Sequence, residues 1–188
     1  MKVLLFLSVL LLCCSLAEFI PFPCRETDGW MYFNSYCYKV FDVLGKFADA
    51  ERKCRTEWAH LASIHSKEEN DFLQGKTKRG EIQKDHWQNH IWIGLIYSKY
   101  TNRWYWTDGS EVNYKNWAKD EPNHKNGEFL GAIMPDTSYE NYPSYNPDGG
   151  QWNDHNNRDH RGFICKKHVY LRPPLNNNGF DILSLIEE

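Results

Sequence analysis

Five oxygen-bearing side chains in the C-terminal half of the chain have the types expected of a cation site. Glu121-Pro122-Asn123 is followed by Glu128, and later by Asn153-Asp154. Three carboxylates and two amides converge if the intervening loop folds back onto the strand that carries Trp152. Hard donors of this kind suit Ca2+, which takes about six to eight oxygens in flexible geometry. Zn2+ would prefer imidazole and thiolate. Pro122 has a mechanical part. A cis Glu121–Pro122 bond would point the flanking side chains the same way, and cis bonds are essentially confined to such steps. On ligand types alone, a polar surface loop is at least as good a reading. His155 and His160 lie nearby and are of a type that binds transition metals. Their place at a polar strand end reads instead as surface histidines. No nucleophile elbow, His-Glu-x-x-His helix or phosphate-binding glycine loop is present. Glu121 and Glu128 could imitate a glycosidase pair, but if both hold a cation neither is free as a general acid. An enzyme is not expected.

These residues need elements to place them. Cys37 to Phe41 alternates and is aromatic and β-branched, which predicts a strand. From Lys46 the period becomes helical, with Phe47, Ala50, Cys54 and Trp58 on one face. A short strand follows at His60–Ile64. Ser66-Lys-Glu-Glu69 has the capping-box pattern and opens a second helix, for which Gly75 is the expected stop. Ile91–Leu95 and Trp104–Trp106 read as strands, the latter running into the turn Thr107–Ser110. From Val112 to Gly150 periodicity fades, and so long an irregular stretch is usually functional or disordered. Gln151–Asp154 and Gly162–Cys165 restore strand character. Helices come early and strands late, so the class is α+β with a mostly antiparallel sheet.

The ends of the chain set its compartment. Lys2, the apolar run Val3–Leu12 and the small residues Ser15 and Ala17 read as a secretory signal peptide over residues 1–17, cut before Glu18. The run is shorter than the roughly 20 residues of a membrane span. Of six cysteines, Cys13 and Cys14 leave with the signal. Cys24, Cys37, Cys54 and Cys165 remain, and an even number in an oxidising compartment argues for two disulfides. Three connectivities are open. A Cys24–Cys37 bridge would close a hairpin. Cys54 with Cys165 would tie a helix to the last strand, a long loop worth about 4–5 kcal/mol in the chain-entropy model. The mature length suits one domain, over residues 24–167, between a short segment at 18–23 and a tail at 168–188. The net charge of −3 comes with no basic cluster, so nucleic acid is not an expected partner. Eight Trp require a packed core, a binding surface, or both. Self-association into a homo-oligomer is left open.

Taken in order, Cys24, Gly29-Trp30, Cys37, Cys54, Trp92-Ile-Gly94, Trp104-x-Trp106-x-Asp-Gly109, Glu121-Pro-Asn123, Glu128, Trp152-Asn-Asp154 and Phe163-Ile-Cys165 resemble a C-type lectin domain of the long form. The resemblance covers nearly the whole mature chain. It implies a C-type lectin-like fold, with two helices packed on mostly antiparallel sheets and a long calcium-binding loop region. It also implies disulfides Cys24–Cys37 and Cys54–Cys165. Glu121, Asn123, Glu128, Asn153 and Asp154 are the implied ligands of a Ca2+ that contacts sugar, and the Glu-Pro-Asn order implies mannose-type glycans. A role in glycan recognition or innate defence follows from it. The alternative is a lectin-like protein that binds protein, ice or mineral. Three features depart from the pattern. The usual second bridge near the loops falls on Leu130 and Asn157. The stretch after Glu128 is long and carries Tyr139, Tyr142 and Tyr145. Two acidic positions of an auxiliary calcium site are His124 and Phe129.

Overall fold

Asn34 and Ser35 both take positive φ, 45° and 68°, the geometry of a tight hairpin turn whose twist matches that of the flanking strands. The turn joins β1 (Met31–Phe33) to β2 (Tyr36–Gly45). The computed structural model describes Cys24 and residues 26–78, 89–135 and 149–169. The expected signal peptide, the segment 18–23, the tail beyond Val169 and the tyrosines at 139, 142 and 145 lie outside them. Among the described residues no helix is long and apolar enough to cross a membrane.

Helix α1 (Phe47–Thr56) buries Phe47, Ala50, Glu51 and Cys54. Trp58 does not join them. It follows the helix with φ of 57° and is 66% exposed. The left-handed residue turns the chain back, so Ala59 donates to Cys54 O (3.0 Å) and takes the inward position. The expected strand at His60–Ile64 shortens to β3 (His60–Leu61), although Ala62, Ser63 and Ile64 are all buried. Ser66 caps α2 (Lys67–Thr77), accepting from Glu69 N at 3.2 Å. The helix runs past Gly75, because Thr77 is buried and its hydroxyl bonds back to Leu73 O at 3.0 Å. The remaining strands are β4 (Ile91–Ser98), β5 (Arg103–Trp106), β6 (Leu130–Ile133), β7 (Trp152–His155) and β8 (Arg161–His168). β6 lies inside the stretch expected to be irregular. Its four residues are all buried, so it is a core strand with no exposed face to alternate.

The sheet runs β1-β2-β8-β4-β6-β7, with β3 added to β8 and β5 to β4. Neighbours are antiparallel except at Trp92↔Phe163, where β4 meets β8 in parallel, so the sheet is mixed. One apolar cluster joins α1 to Leu61, Trp92, Leu130 and Phe163. The other gathers Leu73 of α2 with Tyr38, Ile93, Trp106, Ile133 and Trp152. Disulfides Cys24–Cys37 and Cys54–Cys165 close within the first cluster.

One charged group penetrates the second cluster. The Glu69 carboxylate does not bond back to Ser66. Its Oε1 accepts from the Tyr38 hydroxyl and from Lys166 Nζ (2.6 Å), and its Oε2 from His65 N (2.8 Å). Lys166 Nζ also donates to Ser63 O at 3.0 Å. Burial, and then the adjacent Glu69 carboxylate, push the Tyr38 hydroxyl pKa up. Breaking such a buried pair from one side costs about 3–5 kcal/mol. Lys166→Met should therefore lower the unfolding free energy in urea by about that much. Adding Glu69→Gln should recover most of the loss, since the amide oxygen can accept from His65 N while its NH2 donates to the Tyr38 hydroxyl oxygen, without a charge. Equal stability of the single and double variants would show that the pair carries no such weight.

Candidate functional site

The strand that carries two of the five candidate residues is fixed by its first side chain. Trp152 is fully buried, and its Nε1 donates to Asn70 Oδ1 of α2 at 2.8 Å. Asn70 Nδ2 in turn donates to Gly150 O at 2.9 Å. Gly150 has φ of 88°, and a Cβ there would stand 2.7 Å from Asn70 Nδ2, so the approach requires glycine. The backbone of Trp152 also holds the chain that leads to Glu121. Trp152 N donates to Asn116 O (2.7 Å) and Ala118 N to Trp152 O (2.8 Å). Asn153 and Asp154 therefore lie beside the segment 116–121 and not at the end of a free loop.

The Glu121–Pro122 peptide is cis. Asn123 Nδ2 donates to Glu121 Oε2 at 2.7 Å, so the two flanking side chains meet. Asp154 is fully buried. Its carboxylate accepts from the backbone N–H groups of Asn123 (3.1 Å) and His124 (2.9 Å). Those bonds join β7 to the loop. His124 takes φ of 53°, and its ring stacks beside Tyr97 and Trp104. Its Nδ1 lies 3.2 Å from both Asp154 Oδ2 and Glu128 O. Glu128 follows a single turn of 3-10 helix, Lys125–Gly127, and Phe129 N is bonded to His155 O at 2.9 Å. Glu121, Asn123, Glu128 and Asn153 line one cavity of about 730 Å3, with Asp154 behind its wall.

The electrostatics are those of anions held together. Burial first, and then the Asp154 carboxylate, push Glu121 up to about 7. Burial, Asp154 and Asp159 raise Glu128 as well. Asn153 Oδ1 is buried with no hydrogen-bond partner among the described residues. A buried acceptor left unmet costs about 1–3 kcal/mol, and a cation would satisfy it. The donor set fits Ca2+: all oxygen, two amides with three carboxylates, and no sulfur. Among the described residues the carboxylates do not gather into a cluster that could hold an ion by themselves. The amides are therefore needed to complete a shell.

His155 is not at the surface. It is 4% exposed, and burial pushes it down to about 4. Arg161 donates to its Nδ1 at 2.9 Å, so the ring proton sits on Nε2 and points to His90 Nδ1 at 2.8 Å. Asp159, against the His155 ring and bonded by Arg161 at 2.7 Å, is held down at about 2. His160 is exposed on the rim of the cavity. His90, Asp159 and Arg161 had no signal in the sequence. They meet only because β4 and β8 are neighbours.

A family model described as the Lectin C-type domain matches residues 44–167. Among curated proteins the chain is similar to C-type lectin lectoxin-Lio1 of Erythrolamprus poecilogyrus, 38% identical over 141 residues, 73% of this chain and 77% of that one. It is also similar to a C-type lectin galactose-binding isoform of Pseudechis australis, 34% identical over 154 residues, 76% of this chain and 84% of that one. Among solved structures, the cow C-type carbohydrate-recognition domain of CD23, determined with a GlcNAc2Man3 oligosaccharide, superposes with a TM-score of 0.59. It is 27% identical and covers 75% of this chain and 94% of that one.

The raised Glu121 fixes a sign for pH dependence. A carboxylate whose pKa is higher in the folded state stabilises the fold fully below its unfolded value, near about 4.5, and that contribution is lost as pH rises through about 7. In chelator, Glu121→Gln should therefore raise the melting temperature at pH 8 and leave it nearly unchanged at pH 4. A shift of the same size at both pH values would mean that the ionised carboxylate is not strained.

Proposed function

Because this chain belongs to the C-type lectin domain family, we propose that it binds carbohydrate through a Ca2+ ion held by Glu121, Asn123, Glu128, Asn153 and Asp154. It is a binding protein and not an enzyme. The observation that carries the reading is the unmet Asn153 Oδ1 in the same cavity as a Glu121 carboxyl raised by burial and by Asp154. An unmet acceptor and crowded anions are what a divalent cation relieves. On this reading two vicinal hydroxyls of a hexose complete the shell, and the same side chains bond them: carboxylates accept, while the Asn NH2 groups donate. The expected signal peptide and two disulfides support an exported, extracellular protein.

Mannose-type sugars are the preferred class. The support is the order of Glu121 and Asn123 about the proline, an asymmetric placing of acceptor and donor that suits equatorial 3- and 4-hydroxyls. Galactose carries an axial 4-hydroxyl, which would meet the wrong partner. The named relatives do not decide the matter, since one is called galactose-binding and one was determined with a mannose-containing oligosaccharide. A mispaired polar group costs about 1–3 kcal/mol, or roughly tenfold to a hundredfold in affinity.

On a mannose resin the protein should be retained in calcium and released by chelator. Free mannose should elute it better than galactose. Asn153→Ala or Asp154→Ala should abolish retention, and Glu121→Gln with Asn123→Asp should weaken it. Better elution by galactose would overturn the specificity but not the lectin reading. Retention on no sugar resin, with or without calcium, would favour a protein, ice or mineral ligand instead.

A further inference from the structure

The cavity at the proposed calcium site is larger than one hexose on one ion requires. Glu121, Asn123, Glu128 and Asn153 occupy one part of the lining; Leu44, Asn89, His160 and Gly162 are contributed from elsewhere. The two parts share one cavity, of about 730 Å3, within the roughly 300–1,000 Å3 of pockets that take drug-sized ligands.

Leu44 is on that wall for a structural reason. β2 pairs with β8 in register from Tyr36 to Phe41, and pairing resumes only at Gly45↔Arg161. The irregularity throws Val43 and Leu44 outward, 64% and 61% exposed. Bulges next to sites re-aim side chains in this way. Gly162 also lines the cavity, and it packs too closely on β2 and β4 for a side chain: a Cβ there would meet Phe41 O at 2.9 Å and Ile91 Cδ1 at 3.2 Å. An exposed leucine in the lining of a largely polar cavity offers what a second sugar ring needs, an apolar surface for its C–H face, with Asn89 and His160 in the same lining for hydroxyls.

We propose that the wall formed by Leu44, Asn89, His160 and Gly162 is a second subsite, which takes the next residue of an oligosaccharide whose first hexose is bound at calcium. The inference rests on the calcium reading but not on which hexose the ion selects. Leu44 is the residue that sets the preference for a chain over a monosaccharide.

The test is calorimetry in calcium with two ligand series, methyl α-mannoside against α-linked mannobiose and methyl α-galactoside against an α-linked digalactoside. In the preferred series the wild type should bind the disaccharide about fivefold or more tightly than the methyl glycoside. Leu44→Ala removes one apolar contact surface and should erase that gain, while leaving methyl glycoside affinity within about twofold. Leu44→Trp should enlarge the gain. The calcium-induced rise in melting temperature should be the same in all three proteins, which shows that the variants fold and keep the ion. A wild type with no disaccharide gain, or a gain unchanged in Leu44→Ala, overturns the subsite and leaves the calcium reading intact. Absence of calcium-dependent binding to every one of the four ligands sinks both.

Discussion

A buried indole N–H left without an acceptor is costly, and Trp152 avoids that cost by donating to Asn70 on α2. Much of the site's geometry follows from this bond. It fixes the depth of β7 against the helix. Through Asn70 Nδ2 it also fixes Gly150, in the turn that leads into β7. The strand alternates from there. Trp152 faces the core, Asn153 faces the cavity, and Asp154 turns inward to accept the backbone of residues 123 and 124. The rings of Trp106, Tyr114 and Trp117 stand edge-on to Trp152 and close the remaining sides. One fully packed side chain thus sets the place of two candidate ligands directly and of two more through Asp154.

The same strand explains how the loops hold without the bridge usual near them. Leu130 stands where the resemblance puts one cysteine of that bridge. It is buried, and β6 pairs it with His155. Hydrogen bonds on either side of that pair, Phe129 N to His155 O and Tyr97 N to Phe129 O, continue the ladder into the loop. Packing and register replace a covalent link. Behind them Arg161, over the face of Trp92 at 5.2 Å, carries a buried charge balanced by Asp159. This leaves the His155 ring neutral and fixed in one tautomer. The wall under Asn153 is therefore stiff, while Glu121 and Glu128 in front of it remain crowded.

How much of this was legible in the sequence depended on whether a local pattern carried it. The Ser66 cap and the strands around Trp92 and Trp106 have short-range signals and lie where they were expected. The loop does fold back, so that Asn123 meets the Asp154 strand and Glu121 meets Asn123. Trp58 was misplaced because helical spacing counts residues and cannot see a left-handed residue that ends the helix. β6 was missed because Leu-Gly-Ala-Ile is short, shows no alternation and sits amid polar turns. His155 read as a surface residue, since its neighbours Asn156, Asn157 and Arg158 are polar. Only the pairing of β6 with β7 and the approach of Arg161 bury it. Contacts between residues distant in the chain leave no mark in a single sequence.

The covalent staples and the proposed ion lie at different ends of the sheet. Cys37 and Cys165 pair with Lys167 and Lys39, toward the β1–β2 turn, whereas Gly45 and Arg161 mark the far end of the same two strands. The long loop closed by Cys54–Cys165 restricts the unfolded chain wherever the ligands lie. It does nothing to draw Glu121 and Glu128 together. That end of the domain is held by hydrogen bonds and packing, among them the backbone bonds to the buried Asp154 carboxylate, and it carries repulsion that grows as the carboxylates ionise. An ion bound only by the folded chain adds stability by mass action. On this reading it adds it where the fold is least braced. Binding of sugar and order of the loops are then one equilibrium, and a fold stapled at both ends would gain less from the ion than this one does.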